Sequence, residues 1–259
     1  MKHEDVLVSV VMPVYNDSRF IRETISSVLN QTHSNLELLI VEDCSNDKSL
    51  EIIKEFDDKR IRLFVNEGNK GAAYSRNKGI KEATGEFVAF LDGDDLWAPE
   101  KLEKQLDFMI SNKYDFSYTN YEVIDDAGNK TGTYLTGPKK ISHRKFVRMN
   151  YVGCLTAMYK KSVCPDLEVP EQIKRRNDYA LWLKISEKCP CFLLNECLAK
   201  YRIRKSGSIT TSHRNGLFSY HKTLFSSLYG YGTLRCFYIF CRGIFYSITK
   251  KIFYKKAIK

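Results

Sequence analysis

Acidic residues run out before this 259-residue sequence ends: no Asp or Glu follows Glu196. The last 63 residues nevertheless carry 13 Lys and Arg, so the net charge of +10 belongs to that stretch, while residues 1–196 sum to −3. Basicity confined to one end, with no nucleic-acid-binding motif elsewhere, argues against a nucleic-acid partner. Zinc-ladder spacing is missing too. The eight cysteines include no Cys-x-x-Cys, and Cys189-Pro190-Cys191 has no partner pair. No uncharged run approaches the ~20 apolar residues that a bilayer crossing needs. Neither Gly-x-x-x-x-Gly-Lys-Ser/Thr nor a Gly-x-Gly-x-x-Gly after the first strand occurs, which excludes phosphate-loop hydrolase and dinucleotide readings. Internal repeats and low-complexity segments are absent. The charged start, Met1-Lys2-His3-Glu4-Asp5, offers no signal stretch, so a reducing cytoplasm and free thiols are expected.

What is present reads as an α/β protein. Hydrophobic content of 43% and charged content of 28% are ordinary for a globular chain of this length. Apolar runs at Val8–Val14, Leu36–Val41, Ile61–Val65 and Phe87–Leu91 alternate with helical spacing at Ser18–Asn30, Leu50–Phe56, Gly71–Ala83 and Pro99–Ile110. Near-continuous apolar strands between amphipathic helices predict a mostly parallel sheet covered on both faces. Further strands are expected in 114–124, at Cys154–Tyr159 and at Leu193–Ile203, with a helix over Asp178–Lys188. Residues 130–150 carry little pattern. Polar clusters directly follow three of the strands: Tyr15-Asn16, Glu42-Asp43, and Asp92-Gly93-Asp94-Asp95. Ligands of open α/β sheets bind beyond such strand ends.

Three carboxylates within four positions repel one another unless a cation lies among them, and hard oxygen donors suit Mg²⁺ or Mn²⁺. An acidic turn capping the next helix is the competing reading. Asp43 is placed to accept hydrogen bonds from a base or ribose, while Asp47 serves equally well as a helix cap. Arg76 and Asn77 sit on a helix opened by Gly68-Asn69-Lys70-Gly71, where Arg76 reads as functional or as a surface ion-pair partner. Asp178 begins an amphipathic helix, as a cap or as a general base if burial raises its pKa. Arg202, Arg204 and Ser208 belong to a cationic, hydroxyl-bearing turn that reads either as able to neutralise a diphosphate or as the first stretch of the basic tail.

Taken in order, Ser9-Val10-Val11-Met12-Pro13-Val14-Tyr15-Asn16, Val41-Glu42-Asp43-Cys44-Ser45-Asn46-Asp47, Gly71-Ala72-Ala73-Tyr74-Ser75-Arg76-Asn77, Phe90-Leu91-Asp92-Gly93-Asp94-Asp95 and Asn177-Asp178-Tyr179-Ala180-Leu181-Trp182-Leu183 resemble bacterial family-2 glycosyltransferases of cell-envelope polysaccharide synthesis, over roughly residues 7–210. The resemblance implies a single nucleotide-diphospho-sugar transferase (GT-A type) domain over 1–212; residues 213–259 read, from their own composition, as a basic, aromatic helical segment. It implies inverting transfer from a nucleotide sugar, usually a UDP-sugar, with Mn²⁺ or Mg²⁺. Pro13, Tyr15 and Asp43 would line the nucleoside pocket, with Arg76 and Asn77 nearby. Asp94 would approach the ribose or sugar, Asp95 with Asp92 would hold the metal, and Asp178 would be the base. Glu42 stands where Asp is common, and Asn177 where Glu is common. No Gln-x-x-Arg-Trp segment occurs, which argues against processive polymerisation.

The tail interleaves cations with Phe237, Tyr238, Phe240, Phe245, Tyr246, Phe253 and Tyr254. Basic and aromatic residues together favour an anionic membrane surface. A peripheral enzyme on the inner face of the plasma membrane, acting on a lipid-linked saccharide, is the expectation. Packing of these aromatics against the domain is the alternative. Two other functions fit the same residues: a sugar-1-phosphate nucleotidyltransferase, and a nucleotide-sugar-binding protein without catalysis.

Overall fold

The computed structural model describes residues 3–204 and 216–257. Strand β1 (Val8–Val14) leads into α1 (Ile21–Leu29), β2 (Leu36–Glu42) into α2 (Ser49–Lys54), and β3 (Ile61–Val65) into α3 (Ala72–Glu82). Strand β4 (Phe87–Phe90) continues through the short β5 (Leu96–Trp97) into α4 (Lys101–Asn112). There follow β6 (Phe116–Ile124), β7 (Lys130–Leu135), β8 (Lys140–Ile141), α5 (His143–Arg148), β9 (Met158–Lys160), α6 (Asn177–Ser186) and β10 (Cys191–Arg202). Helices α7 (Leu217–Tyr229) and α8 (Thr233–Tyr254) and the short β11 (Lys255–Ala257) complete the described chain.

All strands join one sheet, ordered β11-β7-β6-β9-β4-β1-β2-β3 along its main path, with β10 paired to β6, β5 and β8. Its three longest ladders, β6–β10, β1–β2 and β2–β3, are parallel. Every residue of β1 and β2 is buried, which is why these strands read as unbroken apolar runs. Alternate side chains serve opposite faces. Val8, Val10, Met12 and Val14 pack with Leu38, Ile40 and the inner sides of α1 and α4. Val11, Leu39, Val88 and Phe90 pack on the other face around Trp182 of α6. Because β1, β2 and β4 are parallel neighbours, their carboxyl ends share one edge. That edge gathers Tyr15, Asp43 and Asp92.

Helix α3 lies unusually close to this sheet. A Cβ built on Gly79 would stand 2.5 Å from Val11 Cγ1 in β1. Gly79→Ala is therefore expected to lower stability by about 1–3 kcal/mol through overpacking, read as a lower urea midpoint. An unchanged midpoint would contradict the close approach.

Two stretches differ from the sequence expectation. Residues 154–156 form a 3-10 turn, not a strand, and β9 begins only at Met158. Thr156 closes that turn by donating from its N–H (3.0 Å) and its hydroxyl (2.7 Å) to the Gly153 carbonyl. The unpatterned 130–150 region supplies β7, β8 and α5, whose short spans and half-exposed strand explain the faint signal.

Helices α7 and α8 share the core of the sheet. Leu224, Phe225, Cys236 and Ile239 are buried in the cluster that surrounds Trp182. The Thr136 N–H donates to the Tyr254 carbonyl at 2.9 Å, and β11 pairs with β7. Part of the aromatic tail thus packs against the domain. The expected boundary at residue 212 falls outside the described residues. All eight cysteines are free.

Candidate active site

The turns after β1 and β2 are laced together. Asn16 donates its N–H to Ser45 Oγ at 3.0 Å, and its Oδ1 accepts from the Asn46 N–H at 2.8 Å. Glu42 accepts the N–H groups of Cys44 and Ser45, so its extra length folds into its own turn. Asp47 accepts from Ser18 and Ser49, bracing the entries to α1 and α2 rather than facing a ligand. Asp43 is buried and accepts from Asn66 Nδ2 (2.8 Å), Lys70 N (2.8 Å) and Gly71 N (2.7 Å). An ionised carboxylate offers about four acceptor sites, so one remains for a donor in the cleft.

That cleft, of about 600 Å³, opens at the shared strand edge. Pro13, Tyr15, Asp17, Asp43, Arg76, Asp92, Asp94, Asp95, Asp178 and Arg204 all line it. Its acidic floor needs Gly93. A Cβ there would fall 2.5 Å from Asp17 Oδ2. Asp92 pairs with Arg76, whose other amino group holds Asn177. Asn177 is thereby absorbed in positioning Arg76, which sets the start of α6 against α3. Arg204 donates to Asp17 Oδ1 (2.8 Å), Asp94 Oδ2 (3.4 Å) and the Asn16 carbonyl (2.9 Å).

Negative charge is still in excess. Burial, then Asp94 and Asp92, pushes the Asp95 carboxyl well above its ordinary range. Burial and Asp92 raise Asp94 to about 6, and burial and Asp94 raise Asp17 to about 7. Burial also raises Asp178, against the opposing pull of Arg76. The donor set is hard oxygen, suited to a divalent cation. Among the described residues no group of three or more His, Cys, Asp or Glu side chains is poised to hold a metal. Asp92, Asp94 and Asp95 all present carboxyl oxygens to the cleft, with Asp92 also bound by Arg76.

Asp178 reaches the cleft because Arg176, with φ of 59°, turns the chain into α6 in the left-handed region. A cleft that combines a raised carboxyl base with an acidic cation seat is suited to activating a hydroxyl beside a phosphate leaving group.

The sequence profile described as "Glycosyl transferase family 2" matches residues 9–167, more than half of the chain. The chain belongs to glycosyltransferase family 2. It is 38% identical over 200 residues to TuaG of Bacillus subtilis (strain 168), named for teichuronic acid biosynthesis, covering 76% of this chain and 79% of that one. It is 40% identical over 206 residues to the Escherichia coli UDP-Glc:alpha-D-GlcNAc-diphosphoundecaprenol beta-1,3-glucosyltransferase WfgD, covering 78% and 79%. Among solved structures, S. aureus TarS 1–349 in complex with UDP-GlcNAc matches with a TM-score of 0.72 at 20% identity, over 92% of this chain and 71% of that one. The mannosyltransferase PcManGT from Pyrobaculum calidifontis, in complex with GDP-Man and Mn²⁺, matches with a TM-score of 0.61 at 16% identity, over 87% and 64%. These likenesses show the GT-A type fold.

Not every residue singled out by sequence faces the glycosyltransferase cleft. Asn77 stands behind it, its amide taken by both backbone groups of Val169 (2.7 and 2.8 Å). Arg202 is buried among protein partners. Its N–H donates to Asp95 Oδ1 (2.9 Å), its Nε to the Asp94 carbonyl (2.9 Å) and its Nη2 to Glu23 (2.8 Å), while its guanidinium lies over Phe20. It holds the acidic turn in place and is not among the cleft-lining residues. Ser208 lies outside the described residues. Conversely, Asp17, Tyr121, Asn150, Cys154, Lys174, Arg175, Arg176 and Tyr201 line the cleft without having been marked. Only Asp17 had a readable signal, three positions past the end of β1.

Proposed function

We propose that this glycosyltransferase performs inverting, non-processive transfer of a sugar from a nucleoside diphosphate donor, a UDP-sugar, to a hydroxyl of a lipid-linked saccharide in cell-envelope polysaccharide synthesis. The observation that carries this reading is the single cleft joining a raised Asp178 carboxyl to the Asp94–Asp95 pair. Tyr15, Pro13 and Asp43 form the nucleoside wall. Asp94 and Asp95 are the residues that would hold Mn²⁺ or Mg²⁺, with Asp92 fixed alongside by Arg76. Such an ion supplies compensation for negative charge on the departing diphosphate. Asp178 accepts the proton of the acceptor hydroxyl as that oxygen attacks the anomeric carbon from the face opposite the leaving group. One displacement inverts the centre, and no covalent intermediate forms. Names of the relatives support the donor and acceptor classes.

The exposed side of α8 supports peripheral membrane contact. Leu234, Phe237, Tyr238, Cys241 and Phe245 recur at helical spacing and are exposed, Leu234 at 87%. No helix among the described residues is long and apolar enough to cross a membrane. A basic helix with an outward apolar stripe lies in the plane of an anionic interface. Since α7 and α8 share the core, truncation is the wrong test. Leu234→Ser with Phe245→Ser, which spares the Phe237 ring packed on Phe218, should instead lower co-sedimentation with phosphatidylglycerol vesicles and leave the melting temperature unchanged; equal sedimentation would refute the contact.

Screening UDP-sugars with Mn²⁺ or Mg²⁺ against glycosyl-diphospho-lipid acceptors tests the reaction. UDP and an inverted glycoside are expected. Pyrophosphate release would identify a nucleotidyltransferase, and binding without turnover a silent relative.

A further inference from the structure

Three consecutive cations, Lys174, Arg175 and Arg176, line the cleft just before the base Asp178. They differ from the other cleft cations. Arg76 is tied to Asp92, and Arg204 to Asp17 and Asp94. None of the three forms an ion pair with a carboxylate among the described residues, and Lys174 and Arg176 are exposed. They are nevertheless held. Arg175 Cζ lies 4.7 Å from the ring centroid of Tyr220 on α7, an arrangement that fixes a guanidinium plane while leaving its N–H edge open. Gln172 Nε2 donates to Ser227 Oγ of the same helix at 3.3 Å. Arg176 adopts φ of 59°, a conformation that non-glycine residues keep where the surroundings enforce it.

A base must touch the attacking hydroxyl, so residues two to four positions before Asp178 border the acceptor rather than the nucleoside. A neutral saccharide gives these cations, of which Arg176 already faces the Asp178 charge, nothing to neutralise. A diphosphate on its reducing end does, and planar guanidinium forks suit phosphate oxygens. We propose that Lys174, Arg175 and Arg176 form an acceptor-side subsite for the diphosphate that links the acceptor saccharide to its lipid. The inference rests on the reading of transfer to a lipid-linked acceptor. Tyr220, which backs the subsite, belongs to the helical pair that carries the exposed apolar stripe, so lipid and diphosphate would be recognised by adjoining elements.

The test uses the full chain saturated with UDP and Mn²⁺ and titrated with decyl diphosphate below its micelle concentration, by calorimetry. Lys174→Gln with Arg175→Gln and Arg176→Gln should weaken decyl diphosphate binding at least ~tenfold, with UDP affinity unchanged. Arg175→Lys, which keeps the charge but loses the stacked fork, should weaken it by a smaller factor and guards against misfolding of the triple variant. Decyl glucoside should bind both proteins alike. Equal decyl diphosphate affinity in wild type and variants, or no binding to wild type, overturns the subsite. So does a fall in UDP affinity, which would assign the cations to the donor. Equivalent loss of binding to phosphatidylglycerol vesicles lacking any diphosphate would also overturn it, in favour of headgroup contact. Failure of the donor reading itself would appear separately, as wild-type protein that does not bind UDP.

Discussion

Asp178→Asn should lower transfer by about 10²–10⁴-fold, the range ascribed to a positioned general base, while the affinity for UDP with Mn²⁺ stays as in wild type. Asparagine keeps the size and polarity of the side chain but cannot take the acceptor proton. The remaining activity should also lose its acid limb. Only the ionised carboxylate is competent, and burial raises its pKa, so wild-type kcat/KM should climb with pH above the usual carboxylate range. Lost nucleotide binding with near-normal turnover would remove Asp178 from the base role.

Asp95→Asn should abolish the gain in UDP affinity that Mn²⁺ provides, by at least about tenfold or 1.4 kcal/mol, and raise the melting temperature without metal. The two effects share one cause. Asp95 is buried beside Asp94 and Asp92, so its negative charge is opposed until a cation arrives. Asparagine retains an acceptor for the Arg202 N–H and relieves that repulsion. The same logic sets the pH dependence of the metal-free protein. Asp94 and Asp17 bind protons more tightly when folded, up to about 6 and about 7. Their contribution is present below the ordinary carboxylate range and is lost as pH rises through those values. Added Mn²⁺ should flatten the loss. A variant that keeps the Mn²⁺-dependent affinity and melts no higher than wild type would contradict this assignment.

The parallel heart of the sheet was legible because burial on both faces demands continuous apolar strands, and the acidic cluster was legible because it follows one of them. Asp43 and Asp94 needed only their place at strand ends. The fate of Arg202 and Arg204 did not show, since it depends on β10 running beside β6 with two register shifts, a long-range pairing that local pattern does not encode. One of these arginines braces the acidic turn and the other faces the cleft. Asn77 was misleading for a related reason: its partner, Val169, is 92 residues away. Residues 150–153 and 174–176 were silent, and Cys154 and Leu155 read as strand, because turns without periodicity carry them into the cleft. Asp178 stood between cap and base on pattern alone, and burial favours the base.

Anomalous diffraction at the manganese edge, from crystals soaked with UDP and MnCl₂, bears most directly on the cation seat. The account predicts one peak bridging the nucleotide phosphates and the carboxylates of Asp94 and Asp95, with the uracil beside Tyr15 and Asp43. A nucleotide bound without a peak there, with both carboxylates still turned to Arg202 and Arg204, would contradict it.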